Sequence, residues 1–430
     1  MKRIFPANHP VKLKKDLGFW FVILSAIGLL ATIVCLYLSH GDLFSNIFFK
    51  DSLDTGMDFF HSIEYTRGRL PYEKFSTLYP PLANLFFYAL FLLVPSWQFE
   101  QWPDTFSEGV AARGTITDMR IWQPTLFIFI IFIMTAVLCL FIILRKLTRQ
   151  LETQNLIVLS FIYSCGILYA LERGNIIIIS LICCLFFSAY MQCKNKVICE
   201  IALIMLAIAA GLKIYPAIWG MLLIYRKLYK HALRAVLYGL ALFFIPFLAF
   251  REKFDGIHIF LKTLFKFNES GNISASGFSF DKILNSFFLV CNKLFHIPLN
   301  DGIILSVGTV CNILITIIVL ICGFLLKKFW QQALACCLAM ILIQTQGTYA
   351  AAFFMIPLIL MIVEERELSS KNIIPFVALA LTQIMLPIWD GESNFIPLNS
   401  LRFQISTIIL LIYILVISIR RIQRLHVKNK

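Results

Sequence analysis

Apolar runs follow one another along almost the whole chain, at 18–39, 124–144, 155–171, 175–192, 200–212, 213–225, 235–250, 302–326, 331–346, 349–363, 372–389 and 403–419. They are continuous and not alternating, which excludes the two-residue pattern of a membrane β-barrel. Hydrocarbon offers no water to backbone N–H and C=O groups, so each run predicts a helix that satisfies its own backbone. Twelve crossings return the C-terminus to the side of the N-terminus. A further apolar segment, 82–95, lies between 40–78 and 96–123, which both carry more acid than base. It predicts either a re-entrant segment or the partner of an amphipathic crossing hidden in 96–123. The fold class expected is therefore an all-α polytopic membrane protein with a bundle of about eleven to thirteen spans.

Three long polar segments separate these runs, 40–81, 96–123 and 251–301. Ordered loops of this length are uncommon in a compact protein unless they carry function. There is no internal repeat and no separate soluble stretch. The expected organisation over 1–430 is one integral membrane domain with a basic N-terminus (1–17), an outer catalytic loop (40–81) and an amphipathic loop (96–123). A second outer loop (251–301) and a basic tail (420–430) complete it.

Composition agrees, since 59% of the 430 residues are hydrophobic, 14% are charged and the mean hydropathy is +0.82. A soluble domain carries roughly 25% charged residues. The net charge of +14 sits in short segments between apolar runs, among them "RKLTR" (145–149), "RKLYKHALR" (226–234), Lys327-Lys328 and the tail "RRIQRLHVKNK". The positive-inside rule places these segments and both termini in the cytoplasm and the long loops outside. A basic balance distributed this way signals topology and anionic headgroups, so nucleic acid is excluded as a partner and membrane lipids are expected. The expected location is a bacterial plasma membrane, or the endoplasmic reticulum for a eukaryotic source. The first apolar run, preceded by many basic residues, reads as an uncleaved span. Most of the twelve cysteines fall inside apolar helices, and no Cys/His spacing suits zinc, so no metal is expected.

Against this background a few polar stretches stand out. "GMDFFHSIEYTRGR" (56–69) places Asp58, His61 and Glu64 three residues apart, on one side of a helix if the stretch is helical. A carboxylate drawn partly out of water among aromatics becomes a better proton acceptor, as a general base for a sugar hydroxyl requires. Arg67 and Arg69 follow and suit a phosphate; a solvated loop with incidental charges is the plain alternative. In "LYPPLANLFFY" (78–88), Pro80 forces Tyr79 to be extended and Pro81 can open a helix, so a rigid corner is expected. "LERGN" (171–175) puts Glu172, Arg173 and Asn175 between two apolar runs, where charge is costly. Lys213 lies about twelve residues before Tyr225, roughly 18 Å of helix from the basic loop, between the breakers Gly211 and Pro216. It is placed to pair with a lipid phosphate or to snorkel outward. "KFNESGNISASGFSF" (266–280) suggests a flexible strand closing over substrate, and Gln346 and Tyr349 mark another helix junction.

Taken in order, Asp58-Phe59, Gly68-Arg69-Leu70-Pro71-Tyr72, Tyr79-Pro80-Pro81-Leu82, Arg173-Gly174-Asn175 and "LKIYPA" (212–217) resemble a family. The resemblance is to GT-C glycosyltransferases, and among them to the polyprenol-phosphate-mannose-dependent enzymes of glycosyltransferase family 87, over roughly residues 18 to 360. It implies a GT-C-like bundle with short helices in the extracytoplasmic loops. It also implies transfer of a hexose, mannose first, from a polyprenyl-phosphate donor to a glycolipid or glycan acceptor on the outer or lumenal face. No metal, nucleotide sugar or other cofactor is implied. The chemistry would be an inverting displacement with Asp58 as general base and with Lys213 and Arg173 on the donor phosphate. Tyr79, Asn175, Tyr215, Arg67 and Tyr349 would bind substrate. Two other functions remain open, a lipid-linked sugar transporter or flippase and an oligosaccharide polymerase or ligase. A transporter would show repeat symmetry, and a ligase an arginine-rich late loop.

Overall fold

The computed structural model describes residues 16–43, 55–95, 97, 119–269, 277–296, 301–343, 348–388 and 398–428. Among them the regular structure is helical, with an isolated antiparallel bridge between Asp16 and Glu367. α1 (Leu17–Leu38) begins where the Asp16 carboxylate accepts from the Phe19 N–H. α2 (Met57–Glu64) and α3 (Pro81–Phe91) flank the polar corner, and α4 (Gln123–Leu147) follows. α5 (Gln154–Ile162) and α6 (Cys165–Arg173) meet at a 47° bend. α7 (Ile177–Tyr190) and α8 (Lys196–Leu212) pack as a hairpin; Asn195 caps α8 by accepting from the N–H groups of Val197 (2.9 Å) and Ile198 (3.2 Å). A 3-10 turn (Tyr215–Gly220) leads into α9 (Met221–Tyr225), and α10 (Tyr229–Phe244) runs into another at Ile245–Ala249. Then come α11 (Asp255–Glu269), α12 (Phe280–Phe295), α13 (Asp301–Leu325) and α14 (Phe329–Ile343). A 3-10 turn at Thr348–Phe354, α15 (Met355–Glu365), α16 (Ile373–Gln383) and α17 (Leu398–Lys428) complete the chain.

Among the described residues five helical stretches are long and apolar enough to cross a membrane: Leu17–Leu38, Gln123–Leu147, Tyr229–Ala249, Ser306–Leu325 and Ser400–Val427, with the bent α5–α6 pair as a sixth. The protein is thus an all-α polytopic membrane protein. The expected eleven to thirteen apolar segments are not that many full-length helices, however. Several are short or broken, as at Pro216 and at the extended Ser164. Such breaks survive at membrane depth because packed neighbours shield the freed backbone groups. α14 shows this shielding, for every residue from Phe329 to Leu342 is buried. Only 22% of the apolar window of α1 is buried, as suits a helix whose outer face meets lipid.

Segment 251–301 carries helices, in keeping with the short helices expected in the outer loops. Among its described residues α11 and α12 occupy most of the length. The signal was present in the sequence: Ile257, Phe260, Leu261, Leu264 and Phe265, then Ile283, Leu284, Phe287 and Phe288, repeat at helical spacing. Residues 270–276, most of 96–123 and Gln346 lie outside the described residues.

The helices join two chemically distinct ends. At one, the Leu17 N–H donates to the Arg366 carbonyl (2.7 Å) and Arg366 Nη2 to Gln150 Oε1 (3.2 Å), while the Arg226 guanidinium stands 5.0 Å over the Phe329 ring. The basic loops gather here. At the other, Arg120 Nη1 donates to the Thr55 carbonyl (3.1 Å) and Arg69 Nε to the Ala249 carbonyl (2.7 Å). α5 and α6 run from the first end, next to Gln150, to the second.

Candidate active site

At the second end, α2 and α6 are locked together through glycines. Gly56 precedes α2 with a φ of +71°, and its N–H donates to the Glu172 carbonyl (2.9 Å). α6 closes in a Schellman turn, in which the Asn175 N–H reaches the Ala170 carbonyl (2.9 Å) and the Gly174 N–H the Leu171 carbonyl (3.0 Å). Gly174 has a φ of +64°, and a Cβ there would sit 2.7 Å from the Phe59 Cβ and 2.7 Å from a Phe129 ring carbon. Only glycine meets both demands. Phe59 is also ringed by Phe129 (centroids 5.1 Å) and Phe132 (5.0 Å), which fix α2 against α4.

This closeness gathers residues far apart in the chain. Asp58, in the first turn of α2, meets Arg173 in a two-point ion pair, with Nη2 to Oδ1 at 2.9 Å and Nε to Oδ2 at 3.3 Å. Asn175 Nδ2 donates to Asp58 Oδ2 at 2.7 Å. The Asn175 amide is oriented because its Oδ1 accepts from the Ile177 N–H (2.9 Å), leaving the Nδ2 for the carboxylate. The helix N-terminus of α2 adds a favourable field for the negative charge. Asn175 is buried, whereas Asp58 and Arg173 keep 19% and 16% exposure, so the carboxylate is held yet reachable.

Lys213 ends α8 in an extended conformation, and its ammonium stands 4.2 Å from the centroid of the Tyr79 ring. Tyr79 is fixed by the proline corner: Pro80 is extended, Pro81 opens α3, and the Tyr79 carbonyl accepts from Tyr72 Oη and Asn84 Nδ2, each at 3.2 Å. Lys213 lies within electrostatic range of Asp58, as do Tyr79 and Tyr349. Tyr215 is buried in its 3-10 turn with its ring 6.2 Å from Phe353, and Tyr349 stacks on Tyr169 at 6.1 Å. The structure thus brings together Asp58, Arg173, Asn175, Lys213, Tyr79, Tyr215 and Tyr349. Arg67 stands in the 3-10 turn beyond α2, and Arg69 in the same turn points to Ala249.

Supporting residues emerge that the sequence reading did not single out. Thr55 Oγ1 donates to Glu172 Oε1 (2.7 Å), bracing the turn that carries Arg173. The buried Glu252 accepts through Oε1 from the N–H groups of Tyr72 (3.0 Å) and Glu73 (2.6 Å), tying the corner that holds Tyr79 to the segment after α10. Burial pushes the Glu252 carboxyl up, against the lowering effect of those two N–H groups. Its signal in sequence is slight, one of two acids in "FREKFD". His61 and Glu64 are buried on α2, with Nδ1 and Oε2 3.7 Å apart.

Among the described residues no three His, Cys, Asp or Glu side chains are grouped to hold a metal ion. What the cluster offers is an oriented carboxylate, a cation on an aromatic face and three tyrosine side chains at one end of an apolar bundle.

No curated protein and no solved structure matches the chain. The model for glycosyltransferase family 87 matches residues 77–345, more than half of the chain. That match includes Tyr79, Arg173, Asn175, Lys213 and Tyr215, whereas Asp58, Arg67 and Tyr349 lie outside its limits. The chain, a helical multi-pass membrane protein, belongs to glycosyltransferase family 87.

Proposed function

We propose that this membrane glycosyltransferase moves a hexose, with mannose the first candidate, from a polyprenyl-phosphate donor to a hydroxyl of a glycolipid or glycan, within a GT-C-like fold. The observation that carries the reading is the Asp58 carboxylate, held from two sides by Arg173 and Asn175 while still partly exposed. In one displacement the acceptor oxygen bonds to the sugar's anomeric carbon as the bond from that carbon to the phosphate oxygen breaks. The bonding pair leaves with polyprenyl phosphate, and the acceptor's proton passes to Asp58. Attack from the side opposite the leaving group inverts the anomeric centre.

The leaving phosphate gains charge as the bond breaks, and a fixed cation lowers the barrier. Lys213 is the better placed for this, since its ammonium rests on a ring, whereas Arg173 is engaged with Asp58. Arg173 in this reading acts first on the base, orienting its two oxygens, and reaches the phosphate only by exchanging that contact. Tyr79, Tyr215 and Tyr349 provide faces and hydroxyls for sugar and lipid, and Arg67, in the 3-10 turn beyond α2, would bind substrate from the loop.

The distribution of charge supports the side of the membrane. The basic loops gather at the end remote from Asp58, and the positive-inside rule puts them, with the N-terminus, in the cytoplasm. Transfer then takes place at the extracytoplasmic or lumenal face. The test is sugar transfer from polyprenyl-phosphate donors in proteoliposomes, comparing wild type with Asp58→Asn and Asp58→Ala. Loss of transfer in both is expected; full activity in both removes Asp58 from the chemistry. Passage of the lipid-linked sugar across the vesicle without covalent transfer would favour a flippase.

A further inference from the structure

At the basic end, remote from Asp58, a cleft of about 970 Å³ opens between the start of α14, the α15–α16 connection and the last turns of α17. Gln331 at the start of α14 lines it, and Tyr349 of the active site follows the other end of that helix. From Gln331 to its end at Ile343 the helix runs about 18 Å at 1.5 Å per residue.

Six basic side chains border the cleft: Lys327, Lys328, Lys371, Arg420, Arg421 and Arg424. Among the described residues Glu365 is the one carboxylate that lines it, and it is taken by Lys328 (2.7 Å) and by Trp330 Nε1 (2.6 Å). Like charges crowded this way repel one another and favour an anion between them. The cleft is also sided along its length. On α17 the lining residues Ile409, Ile412 and Val416 come first, and Arg420 and Arg424 continue the same face at steps of three and four. From Ile409 to Arg424 this face runs about 22 Å. That matches one leaflet, roughly half of the 40–45 Å of a bilayer including its headgroups. Ile412 and Ile374, both on the cleft wall, are 55% and 61% exposed, open to what lies beside them.

We propose that this cleft binds an anionic phospholipid of the leaflet on the basic side. The headgroup phosphate lies among Lys371, Arg420, Arg421 and Arg424, and an acyl chain lies along Ile412 and Val416. The site is separate from the donor site and does not depend on the proposed chemistry. A free phosphate would leave the apolar half of the cleft unused, and an acidic peptide would meet a lipid-facing wall. The chain's own N-terminal segment carries Lys2, Arg3, Lys12, Lys14 and Lys15 and no acid, so its charge does not complement the cleft.

The experiment is native mass spectrometry of the full chain released from vesicles of phosphatidylcholine with one fifth phosphatidylglycerol, with wild type and two triple variants. In the first, Arg420, Arg421 and Arg424 become Gln; in the second they become Lys. A basic residue near an anionic surface contributes about fivefold to binding. The Gln variant is therefore expected to retain phosphatidylglycerol at least about tenfold less than wild type. The Lys variant, with charge intact, should hold it nearly as well and so serves as the control for folding. Equal retention of the lipid by the Gln variant, or no preference of wild type for phosphatidylglycerol over phosphatidylcholine, overturns the proposal. So does capture of inorganic phosphate or of polyglutamate as tight as that of the lipid.

Discussion

At the Asp58 end of the bundle charge is paired, with Arg173 and Asn175 on one carboxylate and Lys213 on a tyrosine ring. At the other end six cations face one carboxylate already in use. The first arrangement fixes geometry before a substrate arrives, which is how a site lowers a barrier without reorganising. The second stores repulsion that something outside the protein relieves. In one membrane bundle, then, paired charge marks where chemistry would be positioned and unpaired charge marks where the surroundings are met.

The largest test of this contrast is Asp58→Asn, which keeps the shape and removes the proposed base. General-base catalysis contributes about 10²–10⁴-fold, so turnover of a saturating polyprenyl-phosphate sugar should fall by that factor. A drop confined to KM would move Asp58 from proton transfer to binding. Next is Lys213→Gln. A cation on a developing oxyanion contributes about 10²–10³-fold, a loss of kcat that Lys213→Arg should partly restore. Unchanged turnover in Lys213→Gln would mean that the cation at this end only snorkels toward the membrane surface.

Gly174→Ala probes the lock instead of the chemistry. Its Cβ would meet the Phe59 Cβ, which has no rotamer to escape by, and the backbone would hold a positive φ with a side chain. Overpacking of this kind costs about 1–3 kcal/mol. A lower melting temperature in detergent together with weaker transfer is expected; a melting temperature unchanged within error would show the α2–α6 contact to be dispensable. The same substitution at Gly68, with a φ of +70° and no heavy atom near the added Cβ, separates backbone strain from the clash.

The helices were legible because lipid demands them: an apolar run has few other ways to satisfy its backbone. Where one helix stops and the next begins was less so. Pro216 announced the 3-10 turn that begins at Tyr215, but no proline marks the bend at Ser164, which lies inside one continuous apolar run. For the site, sequence singled out Asp58, Arg173, Asn175 and Lys213 individually, as costly polar groups beside hydrocarbon. It gave no means of pairing Asp58 with Arg173, since 115 residues separate them and the link runs through the Gly56 N–H and the Glu172 carbonyl. From the sequence alone Arg173 reads as a phosphate ligand, with no sign of its contact to Asp58. Thr55 and Glu252 are silent in the sequence for the same reason: a supporting side chain has no local signature, only a partner.

Glu252 supplies the smallest expected effect and the sharpest question about the corner that holds Tyr79. Its Oε1 satisfies two N–H groups, and its buried Oε2 has no hydrogen-bond partner among the described residues. Glu252→Ala leaves the Tyr72 and Glu73 N–H groups unpaired, at a cost of about 1–3 kcal/mol. Glu252→Gln keeps the acceptor without the charge and should shift stability by less. The sign of the pH effect follows from the raised carboxyl. Between the unfolded and native values the native protein retains a proton that the unfolded chain has released. The contribution is complete below the unfolded value and is lost as pH rises through the native one. Wild type should therefore lose stability relative to Glu252→Gln as pH is raised across that window, measured by thermal unfolding in detergent. Parallel curves for the two proteins would show that Glu252 ionises no differently folded or unfolded. The tie to Tyr72 would then be a neutral hydrogen-bond clamp, and the contrast between paired and unpaired charge would narrow to the residues around Asp58.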